Sequence, residues 1–351
     1  MPTSIPPYPG ALLLRWALCL IALAPTGSHA ASGVGFATIE ARDPVGTGAL
    51  PGMVFYPSEV APGTTVIGAY TVAANAGAPP TPGAKPLIVI SHGHGGSMLG
   101  HHDLATALAR EGYVVTTLEH PKDNYRDTTG AGTPEVLAGR PRQVSAMISH
   151  LLAQPRWKAL IDPSRIGVAG FSAGGYTSLL LVGAVPAFER INGYCERHPD
   201  DPEMCWFARL SADERTQSLA DLHAGLTRWG ATADPRVRAA FVMAPLSLFF
   251  EGQGLATTTR PVFLYYAQDD HVLLPDENAL HIRPLLKNLV DAKAVADADH
   301  WVFMAPCTAA LAARVKDICN DPPGVDRAKV HAQIDADALA FFARTLAPKS
   351  R

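Results

Sequence analysis

The stretch Arg165-Ile166-Gly167-Val168-Ala169-Gly170-Phe171-Ser172-Ala173-Gly174-Gly175-Tyr176 decides the fold. Arg165 to Ala169 reads as a strand, and Ala173 to Gly183 reads as a helix. Between them the chain must turn within three residues. Gly170 and Gly174 fit that need, because side chains there would collide with strand and helix. A Gly-x-Ser-x-Gly turn between a strand and a helix holds its serine exposed above a sheet, in a strained backbone conformation. Ser172 is therefore the candidate nucleophile. A glycine-rich helix start can instead bind phosphate, so the rest of the chain must decide.

Working outward, strand and helix signals alternate. Leu87-Ile88-Val89-Ile90 is a continuous apolar run, as in a strand buried on both faces. Leu99 to Arg110 reads as a helix, Tyr113 to Leu118 as a strand and Val144 to Leu152 as a helix. Val237 to Met243 and Val262 to Ala267 are further strands. Pro275 to Val290 is expected to be a helix and Ala292 to Ala296 a short strand. Val325 to Leu346 closes the chain as an amphipathic helix. This order implies an α/β fold with a mostly parallel sheet and helices on both faces. Val34 to Val45 and Gly52 to Tyr56 are expected to pair antiparallel at one edge, and 62–85 to be a surface loop. Residues 184–234 form a long insertion at the end of the sheet where open α/β folds bind ligands. They are expected to act as a cap, with the loop from His120 to Arg140 beside it lining the pocket.

Three further stretches complete a constellation. Ser91-His92-Gly93-His94-Gly95-Gly96 follows a buried strand. The backbone N–H groups of His94 and Ala173 are expected to form an oxyanion hole. The cluster His92, His94, His101, His102 suggests a metal, but Gly95 and Gly96 stand where a metallo-hydrolase needs an Asp. No metal and no cofactor is expected. Gln268-Asp269-Asp270-His271 follows a strand and supplies an acid, Asp270, with Asp269 as the substitute. Asp299-His300-Trp301 follows the last strand and supplies the base. The order Ser172, Asp270, His300 is that of a nucleophile-elbow triad.

The net charge of −3 gives no basic patch for nucleic acid or an anionic membrane. Arg15, an apolar run from Trp16 to Ala24, and Ser28-His29-Ala30 have the layout of a signal peptide spanning 1–30. That run is shorter than the ~20 residues a membrane span needs. The mature chain, 31–351, is expected to be one domain, secreted or periplasmic. Cys19 leaves with the leader, and Cys195 with Cys205 and Cys307 with Cys319 are expected to form two local disulfides.

Beyond the serine motif, the chain resembles the bacterial platelet-activating-factor-acetylhydrolase-like proteins, often described as predicted dienelactone hydrolases, of the α/β-hydrolase superfamily. The stretches that carry the resemblance are Ser91 to Gly95, Gly170 to Tyr176, and Tyr194-Cys195 through His198-Pro199-Asp200-Asp201-Pro202 to Cys205. His300 to Phe303, Ala305-Pro306-Cys307 and Asp321 to Arg327 add to it. The resemblance implies an α/β-hydrolase fold, the triad Ser172, Asp270, His300, and a small-molecule substrate, a short-acyl ester. His94 departs from the family, where an apolar residue is commoner. Dienelactone hydrolases use a cysteine nucleophile, and position 172 is serine. A peptidase or amidase on the same triad, or a non-catalytic binding protein of the same fold, are the competing readings. The sequence leaves the oligomeric state open.

Overall fold

The computed structural model describes residues 1–4, 33–201 and 204–348. The expected leader lies outside the described residues except for its first four. The strands are β1 (Gly33–Arg42), β2 (Ala49–Ser58), β3 (Thr65–Ile67), β4 (Tyr70–Val72), β5 (Asn75–Ala76), β6 (Lys85–Ser91), β7 (Val114–Leu118), β8 (Ile161–Phe171), β9 (Val237–Met243), β10 (Val262–Ala267) and β11 (Leu289–Val295). Among the described residues, nine of them form one sheet in the order β11-β10-β9-β8-β6-β7-β2-β1-β5. From β11 to β7 every pairing is parallel. β1 and β2 pair antiparallel, and β2 pairs antiparallel with β7.

Burial of both sheet faces explains the apolar central strands. Leu87, Val89, Ile166, Val168 and Val242 point into one core, shared with the helices Arg140–Ala153 and Ala173–Leu181. Ile88, Ile90, Ala169, Phe171 and Phe241 point into the other, shared with the helices His102–Arg110 and Arg327–Thr345. The alternation follows from the two-residue period of a strand. Gly167 admits the Phe342 ring: a Cβ there would lie 2.7 Å from it.

Strand order places the site. The chain leaves β6 for β7 on one side, then returns to β8 on the other. β6 and β8 are neighbours with their next connections diverging, which opens a crevice at their carboxyl ends. The loop after β6 carries His94, and the turn after β8 carries Ser172.

Two expectations need correction. Residues 275–290 do not form one helix. A 3₁₀ turn, Pro275–Glu277, and a short helix, Ala279–Ile282, precede β11, which begins at Leu289. The Asn278 side chain accepts from the backbone of Ser247 and Leu248, pulling its own backbone out of helical geometry, and Pro284 stops the next turn. Residues 62–85 are not all loop: β3 and β4 make a small hairpin, and β5 extends the main sheet beside β1.

Between Ala173–Leu181 and β9, the insertion carries the helix Arg190–Arg197, the turn Cys205–Arg209 and the helix Ala212–Arg228. Ser211 and Glu214 close a reciprocal cap at the start of the last of these. Both expected disulfides are present, Cys195–Cys205 and Cys307–Cys319, with Cα atoms 5.5 and 5.7 Å apart. Each closes a short loop and stabilises by about 2–3 kcal/mol. No helix of the described residues is long and apolar enough to cross a membrane.

Candidate active site

Ser172 has φ 55° and ψ −119°, a region that only glycine enters cheaply. Neighbours hold it there. Its N–H donates to the Met243 carbonyl at 2.9 Å, and its carbonyl accepts from Tyr176 and Leu246. The glycines of the motif are required by contact. A Cβ on Gly170 would lie 2.1 Å from the Gly174 carbonyl oxygen, and one on Gly174 would lie 1.9 Å from that of Ser91. The Ala173 N–H stands at the first position of Ala173–Leu181, where a helix has no internal acceptor to offer.

Asp270 and His300 meet at the carboxyl ends of β10 and β11. The His300 Nδ1–H donates to Asp270 Oδ2 at 2.7 Å, and both side chains are buried. Asp270 Oδ1 accepts from the Val272 and Leu273 N–H groups. Asp269, the substitute, is exposed. His271 is exposed as well, beside Asp299, which accepts from the His300 N–H and so caps that turn. The His300 ring packs on Phe171, with centroids 4.7 Å apart. Ser172, Ala173, His300 and His94 all line one cavity of about 640 Å³. Ala131, Gly132, Val136 and Leu137, from the loop expected to flank the cap, line it too.

A buried polar network that the sequence reading missed lies beneath the glycine loop. Arg140 donates to Asp123 at 2.6 Å, to the Ser91 hydroxyl at 3.1 Å, and to the His92 carbonyl. Asp123 accepts in turn from His94 Nδ1–H and from the Gly95 N–H. Burial alone would raise the Asp123 pKa, but Arg140 and His94 hold it well below the usual carboxylate range. His92 Nδ1–H donates to the Gly93 carbonyl, leaving Nε2 to accept from the His120 N–H. Burial, with Arg140 nearby, lowers the His92 pKa to about 3. His120 donates to Gln143, and Gln143 donates to Asp43. His92 and His94 of the cluster are therefore engaged in the loop's own architecture. The residue pairs are separated by up to 100 positions, so no local sequence signal marks them.

A second set grips the His300 turn from behind. His331 donates to the Val302 carbonyl at 2.8 Å and to Asp103. His101 hydrogen-bonds the Phe303 backbone and packs edge-on against Phe171. Burial would raise Asp103, yet His331 pulls it down to about 2. Asp335, half-buried near Asp103, is pushed up to about 7 by desolvation and that neighbouring charge.

The sequence signature of the family described as platelet-activating factor acetylhydrolase, isoform II, matches residues 60–134. Over that segment the chain is similar to this family, and its fold is that of an α/β-hydrolase. NocK from Nocardia uniformis subsp. tsuyamanensis, whose name assigns it to the esterases by inference, is 29% identical over 153 residues. That match takes in 41% of this chain and 37% of NocK. A solved structure, the ferulic acid esterase from Streptomyces cinnamoneus, superposes with a TM-score of 0.57 over 92% of each chain at 21% identity. It shares the fold. The matched segment holds the loop Ser91 to Gly96 and Asp123.

Proposed function

We propose that this chain is a serine-dependent carboxylic ester hydrolase that works through an acyl-enzyme. The observation that carries the reading is the buried Asp270–His300 pair opening onto the cavity where Ser172 sits on its strained turn. Ser172 Oγ attacks the ester carbonyl carbon, and His300 Nε2 takes the hydroxyl proton. Asp270 fixes the His300 tautomer and stabilises the imidazolium. The carbonyl π electrons move to oxygen, and the N–H groups of His94 and Ala173 hold that oxyanion. The C–O bond to the alcohol breaks, and His300 returns the proton to the leaving oxygen. Water then attacks the acyl-enzyme by the same steps and frees Ser172.

In this proposal residues 1–30 are an export leader and 31–351 the mature domain, with 184–234 as a cap over the cavity. The two disulfides support an extracellular or periplasmic location. Short-acyl esters are the simplest substrates of such a site. The experiment is hydrolysis of p-nitrophenyl acetate by wild type and Ser172→Ala. The expected result is a loss of several orders of magnitude in a folded variant. Retained turnover in Ser172→Ala would overturn the proposal.

A further inference from the structure

The cavity is larger than a short acyl group needs. At about 640 Å³ it lies within the range of pockets that enclose drug-sized ligands. One wall comes from the insertion: Phe188, Ile191, Met204, Phe207, Leu219 and Leu222. Among the described residues, the ionisable side chains in the lining are His94, Asp123 and His300. Asp123 is already matched by Arg140 and His94, and His300 by Asp270. A charged substrate group buried against this wall would lose its hydration, and among the described lining residues no unmatched opposite charge meets it.

The wall is also fastened. Cys195 sits one helical turn after Ile191, and its disulfide partner Cys205 lies between Met204 and Phe207. The same helix ends on Arg197, which makes two bonds to Glu277, at 2.9 and 2.8 Å, and His198 adds a third contact at 3.0 Å. Glu277 belongs to the turn just beyond Val272 and Leu273, which line the cavity from the side of Asp270. The wall is thus tied covalently to itself and ionically to the loop that bears the triad acid.

We propose that this wall is a binding site for a bulky, uncharged, apolar group of the ester, of medium-chain alkyl or aryl size, and that the Cys195–Cys205 disulfide is the positioning element that sets this selectivity. The proposal rests on the ester-hydrolase reading and names its substrate class. Each methylene seated on the wall is removed from water, which raises kcat/KM by roughly two- to fourfold until the cavity is filled.

The test is a series of p-nitrophenyl esters from acetate to octanoate, with a parallel series of acetates of methyl, hexyl and naphthyl alcohols. A rise in kcat/KM of about tenfold or more along either series supports the inference. Values that are flat or falling in both, with Ser172-dependent acetate hydrolysis intact, overturn it and leave the ester-hydrolase reading standing. No hydrolysis of any member overturns both. The double variant Cys195→Ser/Cys205→Ser tests the brace. The expected outcome is a fall of about tenfold in the ratio of the preferred bulky ester to acetate, carried by KM. An unchanged ratio in the folded double variant removes the disulfide from the selectivity, and if that variant fails to fold, the wild-type series still decides the substrate class.

Discussion

His300 Nδ1 donates to Asp270 Oδ2 at 2.7 Å, and the two side chains are only 1% and 2% exposed. The other Asp270 oxygen is taken by two backbone N–H groups. The carboxylate is therefore fixed by the loop before it orients the imidazole. Asp270→Asn keeps the shape but presents an amide that favours the wrong tautomer. The expected loss in kcat is roughly 10³–10⁴-fold with the fold retained. Asp269→Asn, on an exposed side chain, is expected to stay within about twofold of wild type. Steady-state kinetics beside circular dichroism checks both.

Asp123 joins Arg140 to His94 beneath the glycine loop, and all but His94 is buried. Asp123→Asn leaves the Arg140 guanidinium without a counter-charge. A cost of about 3–5 kcal/mol in urea-induced unfolding is expected, with a fall in kcat because the His94 N–H loses its fixed position. The pH sign follows from the depressed Asp123 pKa. Its stabilisation is complete above the unfolded value, near 4, and disappears as pH falls through the lower folded value. Wild type is expected to lose stability steeply below about pH 4, and Asp123→Asn to show a shallower acid limb.

Asp335 has the opposite sign. Its carboxyl is raised to about 7, facing Asp103, His331 and Arg110. Below about pH 4 both folded and unfolded chains hold the proton. Between there and 7 the folded chain keeps a proton that the unfolded chain has released, so stability falls as pH rises. Asp335→Asn lacks this liability. Its melting temperature, relative to wild type, is expected to be similar at pH 4 and higher at pH 8. A difference independent of pH would contradict the burial argument.

The positive φ of Ser172 separates two substitutions that remove its hydroxyl. Ser172→Ala and Ser172→Gly both remove the hydroxyl, and both should be inactive. Only glycine relieves the backbone. Ser172→Gly is expected to be about 1 kcal/mol more stable than Ser172→Ala by chemical denaturation. Equal stabilities would mean that the turn is unstrained.

The central strands, the tight turn at Ser172 and both cysteine pairs were legible because their signals are local. Continuous apolar runs mark buried strands, and a glycine pair marks a tight turn. Arg140 and Asp123 carried no such signal. A lone Arg or Asp reads as surface by default, and their burial depends on each other across 17 positions. The helix expected over 275–290 failed for a similar reason. Its apolar period is real, but Asn278 is claimed by Ser247 and Leu248, about 30 residues upstream. Asp270 is buried against His300 while Asp269 is exposed, a difference that two adjacent aspartates do not reveal in sequence.

The central claim is that Ser172 is the nucleophile, activated by His300. Labelling with a fluorophosphonate probe, followed by peptide mass mapping, tests it most directly. The account predicts one adduct, on the peptide containing Ser172, absent in Ser172→Ala and formed far more slowly in His300→Ala. No adduct on folded wild type, or an adduct elsewhere with esterase activity surviving in Ser172→Ala, would contradict it.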